Sequence, residues 1–281
     1  MTSFRPGLAA GSVGLPQRCD VVVVGGGVLG LASAYELACR NLSVVVVDGG
    51  RVGGWQSGRN LGFVRQQGRA LAELPMMMAA SRRWRGLGGE LGSGVEWRMG
   101  GNLRLTNDPE LAGRYERWVA DAASLGVDSR VVSRAEVESI LPGVSEAWLL
   151  GIFTASDGHA DPVATCRAYT AAVRARGAQV CEGVPVRRIT VAGGAVAGVV
   201  TPVGEVKAGV VVLAAGSGSA RLARWVGVEI PRQLVRQTVI LTDPVPPVTR
   251  AAAWTGELFV RQDVRGCLRL AASARNEVVL D

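Results

Sequence analysis

A run of four valines that stops at a cluster of glycines constrains the fold of this chain more than any other feature. Val21 to Val24 is a continuous β-branched run, typical of a buried parallel strand, and the glycine cluster begins at Gly25. Apolar residues at helical spacing follow from Val28 to Arg40, and a second β-branched run occupies Val44 to Val47. This order of strand, glycine turn, helix and strand predicts a βαβ unit within a parallel sheet.

The glycines have the spacing of a dinucleotide-binding loop. In such a loop Gly25 permits the tight turn, Gly27 lets a pyrophosphate approach the backbone, and Gly30 lets helix and strand pack closely. The helix begins at Val28 and Leu29, where free amides and the positive end of the helix dipole would face the phosphates. The pattern predicts a nucleotide phosphate site, and a glycine turn with a purely structural role is the alternative.

An acidic residue follows the second strand. Asp48 stands at the spacing where a carboxylate accepts hydrogen bonds from an adenosine ribose, and Gly49 comes directly after it. This fingerprint serves both NAD and FAD, so the choice between them has to come from other segments.

Composition and charge exclude several classes of protein. A chain of 281 residues with 48% apolar composition can bury a sizeable core, in one large domain or two interleaved ones. The 31 basic residues outnumber the 24 acidic ones, but the arginines are scattered without a dense run or interleaved aromatics, so we expect no nucleic-acid partner. The most apolar window, Val21 to Leu31, is too short and too rich in glycine to span a membrane.

The cysteines and the first residues bear on cellular location. Five cysteines, far apart and never in a Cys-x-x-Cys pair, indicate a reducing compartment and no structural metal. Residues 1–18 lack the basic patch and apolar stretch of a secretory signal, and we expect them to form a short disordered lead-in. The sequence therefore favours a cytoplasmic protein.

The segment from Gly53 to Gln67, with the sequence Gly-Gly-Trp-Gln-Ser-Gly-Arg-Asn-Leu-Gly-Phe-Val-Arg-Gln-Gln, resembles a stretch of the D-amino-acid oxidase-like (DAO) flavoproteins. This family includes sarcosine oxidase, glycine oxidase and the β-type subunits of opine and hydrogen-cyanide-forming oxidases, and the segment resembles those β-type subunits in particular. The resemblance implies FAD as the cofactor. It also implies positions near the isoalloxazine ring for Ser57, Asn60, Gly62 and Arg65.

The resemblance continues through Gly100 to Leu103, Asp157 to Pro162, and Val211 to Gly216. In the family the last of these passes beside the flavin diphosphate, which assigns Ala214, Ala215 and Gly216 to cofactor binding. A strand containing Val186 would contact the adenine through its backbone. The activity implied is oxidation of the C–N bond of a small amine or amino acid, of the sarcosine, glycine, proline, D-amino-acid or opine type, by hydride transfer to flavin.

Two arginines are candidates for the catalytic site. A guanidinium can clamp a substrate carboxylate with two parallel hydrogen bonds, and we assign this role to Arg65 and Arg261, with an ordinary surface role as the alternative. Arg65 would also stabilise negative charge on reduced flavin. His159, the only histidine, lies in a turn before a capped helix, which favours a loop-anchoring role over acid-base chemistry. No histidine is present earlier to link the flavin, so we expect dissociable FAD.

The fold class expected is α/β, with a Rossmann-like FAD/NAD(P)-binding domain interleaved with an α+β substrate domain. We assign residues 19–90 and 150–225 to the first domain and residues 91–149 and 226–281 to the second. Short strands are predicted at 184–189, 196–200 and 206–213, between glycine turns.

The substrate domain is expected to be incomplete. The family continues with a glycine-rich segment that covers the pyrimidine side of the flavin, and nothing after Arg275 supplies it. Three explanations stay open: a truncated chain, a partner subunit that completes the flavin site, or a flavin-binding remnant without activity. An NAD(P)-dependent reductase is a further alternative.

Overall fold

The structure is a computed structural model that describes residues 14–92, 94–145, 147–272 and 276–277. The described residues form two compact units: residues 14–59 with 165–234, and residues 60–164 with 235–277, apart from the gaps. We call them the first and second units.

The strands are β1 (Val21–Val24), β2 (Val44–Val47), β3 (Phe63–Val64), β4 (Asn102–Thr106), β5 (Ser129–Val132), β6 (Leu150–Thr154), β7 (Gly158–His159), β8 (Gln179–Cys181), β9 (Arg188–Ala192), β10 (Ala195–Thr201), β11 (Gly204–Lys207), β12 (Val210–Leu213), β13 (Val235–Arg236), β14 (Val239–Pro244), β15 (Ala252–Trp254), β16 (Leu258–Gln262), β17 (Cys267–Ala272) and β18 (Asn276–Glu277). The α-helices are α1 (Val28–Ala38), α2 (Leu74–Glu90), α3 (Pro109–Ser124), α4 (Arg134–Ile140), α5 (Pro162–Ala175) and α6 (Ser219–Ala223). Short 3-10 helices cover Gln56–Gly58, Leu71–Glu73, Gly216–Gly218 and Arg224–Val226.

The first unit is built on the parallel sheet that the valine runs predict. Its strand order is β12-β1-β2-β8, with Val21 opposite Val44 on one side and opposite Val210 on the other. All four residues of β1 and all four of β2 are buried, as expected when a parallel strand is covered on both faces. An antiparallel sheet, β11-β10-β9, adds Val199 and Val206 to the same core. The predicted βαβ unit is confirmed.

The second unit contains a seven-stranded mixed sheet with the order β14-β17-β16-β15-β4-β6-β5. Its neighbours are antiparallel except β4 and β15, which run parallel. Leu103 and Leu105 of β4 pack with Val137 of α4 in the core of this unit. A capping box begins α4, since Ser133 and Glu136 exchange side-chain and backbone hydrogen bonds.

The boundaries of the units differ from the predicted domain ranges. Residues 60–90 and 150–164, which we assigned to the nucleotide-binding domain, belong to the second unit, and residues 226–234 belong to the first. Strand pairing explains the difference, because β3 pairs with β7 and β6 pairs with β4 and β5.

Two predicted strands have different extents in the structure. The strand expected at 184–189 begins only at Arg188, because the amides of Gly183 and Val184 donate to the Gly50 and Asp48 carbonyls at 2.8 and 2.7 Å. The strand expected at 206–213 is divided between β11 and β12, which belong to different sheets.

The predicted lead-in is ordered at its end. Gln17 accepts a hydrogen bond from the Lys207 amide at 3.0 Å and Arg18 forms a β-bridge with Lys207, so these two residues correct the expectation of disorder. Residues 1–13 of the lead-in lie outside the described residues. Among the helices of the described segments, none has the length and apolar character needed to cross a membrane.

Candidate functional site

The glycine turn after β1 has no room for side chains. Gly25 has a φ of +117°, and a Cβ there would collide with the Ala214 carbonyl oxygen. A Cβ at Gly30 would collide with the Gly25 carbonyl oxygen. The tight turn and the close helix packing that the spacing predicts are therefore both present in the backbone.

Ser57 lies at the N terminus of α1. The Val28 amide donates to Ser57 Oγ at 3.0 Å, and a Cβ at Gly27 would lie 3.0 Å from the same oxygen. Gly27 is the N-cap of α1 and has no side chain, so Ser57 supplies the acceptor for the first amide of the helix. Leu29, in the first turn, is 76% exposed. The position expected for Ser57 beside the isoalloxazine stays a prediction.

Asp48 ties the end of β2 to the glycine turn. Its Oδ2 accepts from the Gly26 amide at 2.6 Å and its Oδ1 accepts from the Gly50 amide at 2.7 Å. Each carboxylate oxygen keeps a further lone pair, so Asp48 can still accept from a ribose hydroxyl. The motif indicated the acidic residue, but the donor at Gly26 was missed because a backbone amide leaves no signal in the sequence.

Two further predicted segments lie near these residues in the first unit. A Cβ at Gly49 would lie 3.2 Å from the Pro185 Cβ, which places the loop containing Val186 beside the end of β2. The Ala214 amide donates to the Val24 carbonyl at 2.9 Å, directly after β12. Ala215 and Gly216 lead from there into a 3-10 helix, and Gly216 has a φ of +54°.

These residues lie at or beside the carboxyl ends of the parallel strands β1, β2 and β12, the edge at which open α/β sheets bind ligands. We call the group Gly25, Gly27, Gly30, Asp48 and Ala214 the glycine cradle. With no room for side chains at Gly25 and Gly30, and with the N terminus of α1 beside it, the group suits the ADP half of a dinucleotide.

The remaining predicted residues, Asn60, Gly62, Arg65 and Arg261, belong to the second unit. The Gly62 amide donates to Asn60 Oδ1 at 2.7 Å, and the Ala160 amide donates to the Gly62 carbonyl at 2.9 Å. Gly62 has a φ of +76°, and a Cβ there would collide with the Ala160 carbonyl oxygen. Glycine is therefore required at position 62 for backbone packing, whatever its distance from a flavin.

Arg261 is an anchor inside the second unit. It lies in β16 with 1% of its surface exposed, its Nε donates to the Leu61 carbonyl oxygen, and its Nη1 lies 3.3 Å from His159 Nδ1. A two-bond clamp on a carboxylate needs two adjacent nitrogens, and only Nη2 has no partner among the described residues. This geometry does not fit the predicted carboxylate clamp and gives Arg261 the role of holding the loop at Leu61.

His159 is held in the neutral form. Burial and then the charge of Arg261 lower the pKa of His159 to about 3. Since a guanidinium only donates, His159 Nδ1 accepts from Arg261, and the backbone of His159 pairs with that of Arg98 at 2.8 and 3.0 Å. These contacts agree with the predicted anchoring role.

Arg65 lies among aromatic and basic side chains. Its Nη1 donates to the Gln67 carbonyl, and its Cζ lies 4.9 Å from the centroid of the Trp254 ring. Burial, followed by the charges of Arg69 and Arg104, lowers the pKa of Arg65 to about 10. Arg65 remains cationic at neutral pH and half-buried, as a carboxylate-binding group requires.

A buried carboxylate holds the segment that follows Arg65. Asp157 accepts from the Gln66 amide at 2.8 Å, from Gln66 Nε2 at 3.1 Å and from the Gln67 amide at 3.0 Å. Its side chain is fully buried, and burial raises the pKa of Asp157 to about 6. The sequence placed Asp157 in a turn, but gave no sign that it binds these two amides.

Comparison with known proteins decides between the candidate cofactors. The model of the family described as FAD dependent oxidoreductase (DAO) matches residues 20–279. The chain belongs to this family. The membership confirms the resemblance found in the sequence and the expectation of FAD, and it sets aside an NAD(P)-dependent reductase.

Three related proteins illustrate the family. The mitochondrial sarcosine dehydrogenase of Homo sapiens is 31% identical over 82% of this chain and 26% of its own length. The sarcosine oxidase subunit beta of Rhodobacter capsulatus is 26% identical over 82% of the chain and 58% of its own length. The structure of the L-amino acid deaminase from Proteus myxofaciens in complex with anthranilate has a TM-score of 0.87 and 26% identity, over 94% of this chain and 60% of that one.

The chain matches only part of the length of these relatives. It spans about a quarter of the sarcosine dehydrogenase and just over half of the sarcosine oxidase subunit. Its α/β fold is that of the deaminase structure, which confirms the predicted fold class. Within the described segments, no group of three or more His, Cys, Asp and Glu residues has the arrangement of a metal site.

Proposed function

We propose that this chain is the FAD-binding part of an enzyme that oxidises the C–N bond of a small amine or amino acid. The observation that carries the proposal is the glycine cradle at the carboxyl ends of β1, β2 and β12, in a chain of the DAO family. Bound FAD supplies the electron chemistry, accepting a hydride equivalent from the carbon next to the substrate nitrogen. The resulting imine is then hydrolysed.

The first unit provides the nucleotide site in this proposal. The amides at the start of α1, Val28 and Leu29, and the backbone at Gly25 and Gly27 bind the diphosphate without a cationic side chain. Asp48 accepts a ribose hydroxyl while it holds the Gly26 amide.

Further residues contribute through their backbones. Gly49 and Val186 border the adenine, and Ala214, Ala215 and Gly216 pass beside the diphosphate. Gly30 contributes by letting α1 pack closely on β1. These assignments rest on the resemblance together with the positions that the residues take in the first unit.

The second unit provides the substrate-binding residues. Arg65 binds the substrate carboxylate and stabilises negative charge on the reduced cofactor, which agrees with its lack of an ion pair among the described residues. Asn60 and Gly62 shape the loop before it, and Arg261 keeps that loop in place through Leu61. No general base is assigned, since an amine that binds in its neutral form needs none.

The proposal includes a partner subunit and a location. A further subunit or chain segment completes the flavin site, an arrangement supported by the similarity to a sarcosine oxidase subunit and by the share of the relatives that this chain covers. A cytoplasmic location is supported by the cysteines, all five of which are free thiols.

The test is anaerobic reduction of the flavin. The chain is purified with FAD and any co-purifying subunit and mixed with sarcosine, glycine, proline, D-amino acids and opines, while the visible flavin absorption is recorded. We expect at least one of these to bleach the flavin. If none does while dithionite still bleaches it, the chain is a flavin-binding remnant and the proposed oxidation is wrong.

A further inference from the structure

The second unit holds a group of basic residues that form no ion pair among the described residues, although the charges of Asp157 and Glu73 act on Arg65. Arg65 and Arg104 lie against the Trp254 ring, and the charge of Arg69 acts on Arg65. We call these four residues the arginine cluster. Over the part of the chain that the structure describes, every ion pair involves other residues. The Nε atoms of Arg69 and Arg104 are buried and have no hydrogen-bond partner there.

Arg104 and Trp254 are brought together by strand pairing. They are directly opposite each other in the parallel pair of β4 and β15. The Arg104 Cζ lies 3.8 Å from the centroid of the Trp254 ring and 4.1 Å from that of Tyr115, so the guanidinium sits against two aromatic rings. Stacked in this way, a guanidinium keeps its edge of N–H groups free for an acceptor.

Arg65 also contacts Trp254, and the backbone of Arg69 is bonded to Trp118. The Arg65 Cζ lies over the same indole at 4.9 Å, and the Arg69 carbonyl accepts from Trp118 Nε1 at 2.8 Å. Phe259 stacks on Trp254 with ring centroids 5.3 Å apart, which supports the indole from another side. Trp254 therefore contacts two guanidinium groups and one phenyl ring.

Gly68 is an exposed neighbour of the cluster. It has a φ of +67°, and a Cβ there would lie 2.7 Å from Arg104 Nη1. The Gly68 backbone therefore lies close to Nη1 of Arg104, with no side chain between them. Any larger residue would both strain the turn and crowd the guanidinium.

Electrostatics favours an anion at this place. Like charges repel, and a partly buried cation without a counter-ion loses hydration that nothing replaces. Burial lowers the pKa of Arg104 as well as that of Arg65. A single carboxylate on Arg65 leaves two of the three charges without a counter-ion, whereas two carboxylates satisfy most of the cluster.

We infer that the arginine cluster recognises a second carboxylate, so that the substrate is an amine that carries two acidic groups. The inference rests on the proposed function, in which Arg65 binds the first carboxylate. Arg104 and Arg69 bind the second, and Trp254 with Tyr115 fixes the plane of Arg104. The chemical class is an acidic amino acid or an N-substituted amino dicarboxylate.

The test measures binding without turnover. Calorimetric titration of the FAD-loaded protein compares glutarate with pentanoate, which has the same carbon chain and one carboxylate fewer, at constant ionic strength. We expect glutarate to bind at least about tenfold more tightly, the scale of one charge-assisted hydrogen bond. Equal affinities for the two acids would overturn the inference.

Variants locate the effect. We expect Arg104→Gln and Arg69→Gln each to remove most of the preference for glutarate, and Arg104→Lys to keep part of it. The control is Arg82→Gln, at an exposed position of α2, which should keep all of the preference. If Arg104→Gln does not fold, Arg69→Gln decides. A preference that survives in the folded variants contradicts the inference.

Flavin reduction is scored separately from binding. Glutarate binding without reduction by any amine would leave the anion site and remove the proposed oxidation. Reduction by sarcosine without a preference for glutarate would support the proposed oxidation and overturn the second carboxylate site.

Discussion

The glycine cradle and the arginine cluster prepare for negative charge in opposite ways. In the cradle the backbone atoms at Gly25 and Gly30 approach their neighbours so closely that no side chain fits, and none of its members is a cation. In the cluster, charge is carried by side chains stacked on an indole. Substitutions that add atoms should therefore damage the cradle most, and substitutions that remove a charge should damage the arginine cluster most.

The largest expected effect comes from adding one methyl group to the cradle. Gly30→Ala puts a Cβ against the Gly25 carbonyl oxygen, and backbone atoms cannot move aside as a side chain can. We expect a loss of at least about 3 kcal/mol in the free energy of unfolding, together with loss of bound flavin. Denaturant unfolding and flavin absorbance measure the two effects.

The matched control is Gly209→Ala in the same unit, where a Cβ would meet nothing within 4 Å. We expect it to keep its flavin and to change the free energy of unfolding by less than about 1 kcal/mol. Similar losses in the two variants would show that the cradle is no tighter than a surface loop.

Removing a charge from the cluster is expected to affect the reaction more than the fold. Arg65→Gln should lower kcat/KM about 100-fold for substrates that carry a carboxylate, because a charge-assisted bidentate contact is lost. Steady-state kinetics with an amino acid and with the matching amine that lacks the carboxylate measures this. An equal loss for both substrates would contradict the assigned role, and Arg82→Gln serves as the control.

The two regions also differ in how far the sequence predicts them. The motif of the cradle, from Gly25 to Asp48, lies within one βαβ unit, so its spacing is readable along the chain. Arg104 and Trp254 are far apart in sequence and meet only because β4 and β15 pair in parallel. The one visible signal of the cluster is an arginine between two leucines in β4, and a single sequence gives no reason to connect it with a distant tryptophan.

Burial and local backbone geometry explain the remaining differences. The charge of Arg261 led to the prediction of a substrate clamp. In the structure, Arg261 is buried in β16, where it lies opposite Arg269 of β17. Val184 and Val186 flank Pro185, and this alternation resembles a strand. The amides of this segment instead bind the end of β2.

The second unit, which contains the arginine cluster, also contains a buried neutral histidine, and this histidine makes the stability depend on pH. The pKa of His159 is lowered from 6.5 to about 3, so below pH 6.5 the unfolded chain takes up a proton that the folded chain does not. Stability is therefore lost as the pH falls, by about 1.4 kcal/mol per pH unit and about 2 kcal/mol between pH 6.5 and 5.

Comparison with a variant isolates this titration. Asp157, whose pKa is raised to about 6, acts in the opposite direction below that pH, because its folded form keeps a proton that the unfolded form releases. Both the wild type and His159→Gln contain Asp157, so its contribution cancels in the difference between their unfolding free energies. We expect that difference to grow more favourable to the wild type from pH 5 to 6.5. A flat difference would mean that His159 titrates normally in the folded chain.

The smallest expected effect is at the N terminus of α1, which begins at the cradle. Ser57→Ala removes the acceptor of the Val28 amide and should lower the free energy of unfolding by about 1 kcal/mol, as for other helix caps. Added FAD should reduce this loss, because the diphosphate offers an acceptor to the same amides. Thermal unfolding with and without FAD is the measurement, and a loss that FAD leaves unchanged would place the diphosphate elsewhere.

The most direct test of the glycine cradle as the FAD site is competition for FAD binding. FAD is titrated into the flavin-free chain, with any co-purifying subunit, in the presence of ADP or of riboflavin. If the cradle holds the cofactor by its nucleotide half, ADP weakens the apparent affinity for FAD and riboflavin at the same concentration has little effect. Competition by riboflavin but not by ADP would contradict the assignment of the cradle as the ADP site.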